Sequence, residues 1–440
     1  MTTGDTIFAL SSGALPAGIA VVRISGPDAA RVGFIVEGEL PKGRRPVLRL
    51  LSNDRHGIID RAMILRMRAP NSFTGEDTVE LHLHGGKAVV SACLQALASI
   101  NGFRMAEPGE FTHRAFLNGK IDLHEAEALS DLIAAETEVQ RRLSIENSSG
   151  SNAAIWSQWM AALTEARALL EAELDFSDEE DVPGSMRDVI GSRLEAISER
   201  MERELKQVHS AEIMRDGFRV VLTGKPNVGK SSLLNALAKR DVAIVSEEAG
   251  TTRDLVEVAL DLNGYKVILT DTAGMRETTG VVEKIGIERA VAAIEAADLV
   301  LHVTSADQSG VDVVPEFPSA RVWRIANKQD LAETASFHAD FRVSALSGEG
   351  LDTLLEAIGR LVKDLTIAGD NAPLLFKERH AILCSQAKAA IANALPLLEE
   401  QPELAAEELR RAMMFIGRVT GAVDVEDLLG VIFSRFCIGK

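Results

Sequence analysis

The run Gly224-Lys225-Pro226-Asn227-Val228-Gly229-Lys230-Ser231 constrains this chain more than any other feature. It follows the apolar segment 218–223 and precedes the helix-forming segment Ser232-Leu233-Leu234-Asn235-Ala236-Leu237. G-x-x-x-x-G-K-S between a strand and a helix is the signature of a phosphate-binding loop. Its glycines let backbone N–H groups curl around a phosphate, and the helix N-terminus adds a favourable dipole. Lys230 can reach β- and γ-phosphates. The Ser231 hydroxyl suits Mg²⁺, which takes oxygen ligands. From 218 to about 363 strands alternate with helices, so the loop belongs to an α/β domain.

Four further motifs follow in order, all five within about 120 residues. Gly250-Thr251-Thr252-Arg253-Asp254 offers Thr252 as a second Mg²⁺ ligand. Asp271-Thr272-Ala273-Gly274 ends the apolar segment 267–270, where a carboxylate can hold the metal through water and the Gly274 N–H can meet a γ-phosphate. Asn327-Lys328-Gln329-Asp330 supplies base recognition. The Asp330 carboxylate can accept both N–H groups of the guanine edge, Asn327 can serve the other edge, and the Lys328 stem can cover the ring. Adenine lacks that donor pair, and sites built on such pairing discriminate by about 10⁴ or more. Ser344-Ala345-Leu346 can support the base through backbone N–H groups. The predicted GTP site therefore comprises Asn227, Val228, Gly229, Lys230, Ser231, Ser232, Ser246, Glu247, Glu248, Ala249, Gly250, Thr251, Thr252, Asp271, Thr272, Ala273, Gly274, Asn327, Lys328, Asp330, Ser344 and Ala345. GTP hydrolysis is the expected activity, with ATP the weaker alternative. Ras-like enzymes orient water with a glutamine after the DTAG glycine. Here that residue is Met275, so another group must do it, and spacing identifies no arginine finger.

Composition sets the outer limits. With 440 residues the chain should hold about three domains. Its 46% hydrophobic and 25% charged residues exclude a disordered or fibrous chain. Three scattered cysteines, Cys93, Cys384 and Cys437, without a CxxC pair, argue against a zinc knuckle or disulfide framework and fit a reducing cytoplasm. No 18-residue apolar window predicts a membrane span. The first residues lack a secretory signal, and Gly439-Lys440 make a poor prenylation box. A net charge of −18 excludes a general nucleic-acid coat. Locally, 42–68 is basic (Lys42, Arg44, Arg45, Arg49, Arg55, Arg61, Arg66, Arg68), which reads as a solvated mixed-charge face before a nucleic-acid site. Residues 171–181 carry seven acids and read as a solvated helix end. Residues 1–120 show α/β patterning, 121–215 and 366–440 helical patterning, and 216–365 the nucleotide domain. A helical domain interrupted by an inserted Ras-like P-loop domain is the economical architecture: multidomain α/β plus α.

Seven stretches together resemble one family: 224–237, 243–254, 271–290, the N-terminal GIAVVRISGP (18–27), TGEDTVELHLHGG (74–86), EPGEFTHRAFLNGKIDL (107–123) and FCIGK (436–440). The chain resembles the MnmE (TrmE) family of bacterial tRNA-modification GTPases over essentially its whole length. The resemblance implies a potassium-activated GTPase that dimerises through its G domains. Asn227 matches the K⁺-binding asparagine, with Ser246, Glu248 and Thr251 completing the ion's shell. K⁺ would supply positive charge where other GTPases use arginine. Glu283 matches the glutamate that positions the attacking water, with Glu277 as competitor and a solvated helix carboxylate as the plainer reading. The N-terminal domain is implied to bind a tetrahydrofolate derivative (5-formyl- or 5,10-methylene-tetrahydrofolate) through Arg23, Glu80, Lys120 and Lys440. Glu80 can accept from pterin N–H groups, while Arg23 and Lys120 suit an anionic tail. Glu80, His82 and His84 share one strand face. A polar cleft face is the stronger reading of that trio and a metal site the weaker. Cys437 falls on a cysteine the family requires, although its apolar setting is equally that of a packing residue.

The family's implied task is to form 5-carboxymethylaminomethyl (or aminomethyl) uridine at wobble position 34 of tRNA. The implied partner is the FAD- and NADH-using protein MnmG, in a heterotetramer. Two rivals remain from the residues alone. A ribosome-assembly GTPase would have no use for Arg23, Glu80 and Lys120. A folate-dependent aminomethyl transferase with an accessory G domain would act without GTP turnover.

Overall fold

The structure, a computed structural model, describes residues 4–53, 57–148, 151–175, 187–240, 242–244, 257–271, 291–306, 320–331, 338–366 and 377–423, together with 429, 432, 433, 436 and 439. The chain forms two compact units, Met1–Ser130 with Ile416–Lys440, and Asp131–Phe415.

The first unit is built on strands β1 (Thr6–Leu10), β2 (Ala17–Ser25), β3 (Val47–Asn53), β4 (Gly57–Met67), β5 (Thr78–Gly85) and β6 (Phe103–Met105), with helices α1 (Lys87–Ala98), α2 (Glu110–Leu117) and α3 (Leu123–Ala134). The sheet order is β3-β4-β5-β2-β1-β6, antiparallel except for the parallel pair β1–β6. Period-two alternation assigns the faces. Ala20, Val22 and Ile24 of β2, with Val79, Leu81 and Leu83 of β5, are buried in one core with Val90, Cys93 and Leu97 of α1. Val21, Arg23 and Ser25 therefore point the other way, beside Glu80 and His82.

Across that second face an ionic network fastens α2. The Arg104 guanidinium donates to both Glu110 oxygens at 2.5 and 2.8 Å. Arg114 donates to Glu110 at 3.0 Å, to Asp5 at 2.7 Å and to Glu76 at 3.2 Å. Burial pushes the Glu110 carboxyl up, but the two guanidiniums and the Glu107 N–H outweigh it and hold it below the ordinary range. Asp5 is likewise raised by burial and brought below its usual range by Arg104 and Arg114. Both carboxyls thus add stability above the ordinary carboxylate pKa, and lose it as pH falls below that range. Glu110→Gln should cost about 3 kcal/mol at pH 7 by leaving Arg114 short of a partner in a buried cluster. Calorimetric melts should show the variant less acid-sensitive than the parent; equal shifts between pH 7 and pH 4 would discount the network.

The carboxyl-terminal segment belongs to this same unit. Phe433 and Phe436 are buried with Leu123 and Ala126, against Phe116 and Ile121. His113 of α2 packs on the Phe433 ring at 4.8 Å. Gly109, at φ +67°, is where the segment crosses: a Cβ there would lie 2.4 Å from the Phe433 carbonyl oxygen.

In the second unit, helices α4 (Glu138–Ser148), α5 (Ser151–Asp175), α6 (Arg187–Leu205) and α7 (Val208–Asp216) precede strand β7 (Phe218–Thr223). Then come α8 (Lys230–Ala238), β8 (Glu257–Leu262), β9 (Tyr265–Asp271), β10 (Leu299–Ser305), β11 (Arg321–Asn327), β12 (Phe341–Arg342), α9 (Leu351–Thr366), α10 (Glu378–Glu400) and α11 (Pro402–Thr420). The sheet order is β12-β11-β10-β7-β9-β8, parallel except for β8. Its central strands are apolar on both faces, as a covered parallel sheet requires. Leu354, Ile358, Leu361 and Val362 put one stripe of α9 onto the sheet.

By length and composition α10 could cross a membrane. Leu383, Cys384, Ala387, Ile391, Ala394 and Leu398 of that helix are nevertheless buried, and Lys388 pairs with Glu202 of α6. Burial pushes the Cys93 and Cys384 thiols up to about 12, which makes both inert packing residues.

Candidate functional sites

The described parts of the nucleotide motifs meet at the carboxyl ends of β7, β9, β10 and β11, the end of an open α/β sheet where ligands bind. The loop 224–229 leaves β7 and passes hard against β10. A Cβ on Gly224 (φ +136°) would lie 2.2 Å from the Val303 carbonyl oxygen. Gly229, in the left-handed region at φ +93°, begins α8 with no side-chain cap, so the first N–H groups of α8 face the loop. Lys230 is buried, and its ammonium donates to the Gly224 and Lys225 carbonyls at 3.0 and 2.9 Å. Those bonds centre the charge inside the loop's curve, where phosphates would lie.

The Ser231 hydroxyl donates to Asp271 Oδ2 at 2.5 Å, and Asp271 is buried. A hydroxyl and a carboxylate converging beside a phosphate loop are the hard oxygen donors that Mg²⁺ takes, so these two residues fit that ion. Thr252 lies outside the described residues.

Asn327 holds the base loop to the phosphate loop. Its Nδ2 donates to the Val228 carbonyl at 3.0 Å, and its Oδ1 accepts from the Ala345 N–H at 3.1 Å. A Cβ on Gly229 would stand 2.4 Å from that Nδ2, so the clamp needs a glycine there. Asp330 is exposed and accepts from the Ser344 hydroxyl at 2.5 Å, while Lys328 adopts φ +64°. The three loops that bear these motifs are thereby locked in one arrangement. A cavity of about 620 Å³ lies elsewhere, at the amino ends of β7, β10 and β11 beside Arg219, Asp298 and Arg321. It plays no part in the nucleotide geometry.

In the first unit Arg23 and Glu80 are direct cross-strand partners of β2 and β5. Arg23 Nε and Nη2 both approach Glu80 Oε1 at 3.0 Å. The guanidinium lies over the Phe73 ring at 5.8 Å and the Phe111 ring at 5.7 Å, so two cation–π contacts hold it. His82 Nε2 is 3.3 Å from Glu80 Oε2. His84 instead turns to Asp60, with Nδ1 at 2.8 Å. Glu80 and His82 thus face one another, while His84 is engaged with Asp60.

Comparison with known proteins decides the kinship. Residues 123–437 match the family model of the MnmE helical domain, and residues 6–120 that of the GTP-binding protein TrmE N-terminus. The tRNA modification GTPase MnmE of Brucella ovis is 50% identical over 437 residues, covering 99% of this chain and 98% of that one. This chain belongs to the MnmE family. The MnmE of Mesorhizobium japonicum is 48% identical over 446 residues, covering all of both chains. Among solved structures, Aquifex aeolicus Era bound to GDP and AlF₄⁻ is 28% identical over 42% of this chain and 69% of that one, with a TM-score of 0.27.

The other positions matched to MnmE divide clearly. Asn227 stands exposed on the phosphate-loop rim at φ +64°, with Ser232 exposed on the first turn of α8. Lys120 is exposed and its stem lies over Gly75, whose Cβ would be 3.2 Å from Lys120 Cγ and Cδ. Ser246, Glu247, Glu248, Ala249, Gly250, Thr251, Thr252, Thr272, Ala273, Gly274, Glu277, Glu283, Cys437 and Lys440 lie outside the described residues. Gly439 lies within them, at φ +95°, where a Cβ would be 1.9 Å from the Leu10 carbonyl oxygen. Leu10 is one residue beyond Ala9, the β1 partner of Arg23.

Sequence reasoning missed the double role of Asn327, the part of His82 beside Glu80, and the network of Asp5, Glu76, Arg104, Glu110 and Arg114. Asn327 and His82 stood out by motif and by alternation, but nothing in their spacing named their partners, and Asp5 and Glu76 lie outside any strand or helix, where no periodicity marks them.

Proposed function

We propose that this protein is a cytoplasmic, potassium-activated GTPase of tRNA modification. It acts with MnmG as a heterotetramer around an MnmE homodimer to build 5-carboxymethylaminomethyl (or aminomethyl) uridine at wobble position 34. A tetrahydrofolate derivative held by Arg23, Glu80, Lys120 and Lys440 supplies the one-carbon unit. GTP is the substrate of the G domain. Mg²⁺ is held by Ser231 and Thr252, and K⁺ by Asn227, Ser246, Glu248 and Thr251. Glu283 positions water, and Cys437 serves the modification chemistry. The carrying observation is the locked set of Lys230, Ser231, Asp271, Asn327 and Asp330 at one sheet edge, in a chain half identical to tRNA modification GTPases.

When bound, K⁺ supplies positive charge beside the phosphates. This chain's own part is to place Asn227 on the loop rim, within reach of that position. Hydrolysis of GTP in KCl should exceed that in NaCl by about tenfold or more. Asn227→Ala should abolish the difference while GTP binding, followed by fluorescent-nucleotide titration, is retained. Equal rates in the two salts for the parent protein would refute potassium activation. Mass spectrometry of wobble nucleosides from cells lacking the protein tests the tRNA product.

A further inference from the structure

We propose that His82 is a positioning residue of the folate site, fixing the plane in which Glu80 presents its carboxylate. The inference rests on the reading of Arg23 and Glu80 as cofactor-binding residues. Arg23 engages one carboxylate oxygen only, since both its Nε and its Nη2 approach Oε1. The terminal torsion of a glutamate has a broad profile, so a carboxylate held by one oxygen can still tilt its plane by pivoting on that oxygen as its side-chain torsions adjust. His82 closes that freedom by taking Oε2 through Nε2. An ionised carboxylate only accepts hydrogen bonds, so this bond requires the His82 tautomer with its N–H at Nε2.

Backbone register fixes the arrangement. His82 is two residues beyond Glu80 on one face of β5, opposite Val21 of β2 and Met63 of β4. The Glu80 and His82 side chains are 14% and 24% exposed, so water competes weakly for the bond. The other reference point is held as well, because the Arg23 guanidinium makes cation–π contacts with both Phe73 and Phe111. A ligand with two adjacent N–H groups in one plane, such as a pterin ring, needs acceptor lone pairs held in that plane. His84 cannot substitute, because it turns to Asp60.

The discriminating pair of variants is His82→Leu and His82→Gln. Leucine removes the donor. Glutamine places an amide N–H donor at nearly the same reach as Nε2. Titration calorimetry of the full chain with 5-formyl-tetrahydrofolate should show His82→Leu binding about tenfold more weakly and His82→Gln within about twofold of the parent. GTP hydrolysis should be unchanged in both. No heat from the parent protein would overturn the folate reading and this inference with it. Parent-like binding by His82→Leu would overturn the positioning role alone, as would equal weakening in the two variants.

Discussion

Replacing Asp330 by asparagine should weaken GTP binding by about 10⁴ and create affinity for xanthosine triphosphate. The guanine edge presents two donors side by side, and a carboxylate accepts both. An asparagine presents one acceptor and one donor, so its amide N–H₂ would face the guanine amino group, donor against donor. Xanthine carries a carbonyl where guanine has that amino group, and the asparagine then matches it. The structure makes the exchange local. Asp330 is exposed, so the substitution opens no core, and its loop stays anchored by Asn327, which binds Val228 on one side and Ala345 on the other. Ser344, which donates to Asp330 Oδ1, can donate equally to an amide oxygen. Fluorescent-nucleotide titrations with both triphosphates at fixed Mg²⁺ measure the swap. An Asp330→Asn protein that still bound GTP as tightly as its parent would remove guanine recognition from this residue.

That prediction draws on the part of the molecule most legible in sequence. Phosphate and guanine recognition use backbone N–H groups and a few side chains at fixed spacings. Gly224, Lys230, Ser231, Asp271 and Asp330 could therefore be proposed from spacing alone. What spacing could not carry was the partner of each side chain. Asn327 read as a base contact, yet its amide ties Val228 to Ala345, residues 99 and 18 positions away. The alternation of 78–84 put Glu80 and His82 on one face, but only the β2–β5 register sets Arg23 opposite Glu80. The basic stretch 42–68 shows the same limit. Arg49 stands opposite the buried Ala62 and Arg61 opposite Leu50, so consecutive strand positions divide the charge between the two faces. Arg66 pairs with Asp77 at 3.6 Å. Residues 366–440 showed helical patterning, which says nothing of what Phe433 packs against, and its partners, on α2 and α3 of the first unit, lie some 300 residues earlier in the chain.

The docking of that carboxyl-terminal segment underlies the second large effect, the loss of tRNA modification in Gly439→Ala. Gly439 sits at φ +95°, and an added methyl would stand 1.9 Å from the Leu10 oxygen, 2.8 Å from its carbonyl carbon and 3.2 Å from Ser11 Cα. These are backbone atoms, so no rotamer change relieves the overlap. The left-handed conformation costs alanine about 1–2 kcal/mol and overpacking typically another 1–3, enough to shift a docked segment about 100-fold toward release. Phe433 and Phe436 remain buried, so release is confined to the residues after them. Cys437, which we propose serves the modification chemistry, stands between the docked Phe436 and Gly439 in sequence, and Leu10 adjoins the strand position opposite Arg23. Modification should therefore fall toward background while GTP hydrolysis, which depends on the second unit, is kept. Gly57→Ala is the control: its φ is +63° but an added Cβ meets nothing within 4 Å, so it carries conformational strain without the overlap. Carboxypeptidase trimming followed by mass spectrometry reads docking directly, with fast trimming expected for Gly439→Ala and slow trimming for the parent and for Gly57→Ala. If Gly439→Ala were trimmed fast and still supported full wobble modification, docking of the segment would have no part in the chemistry.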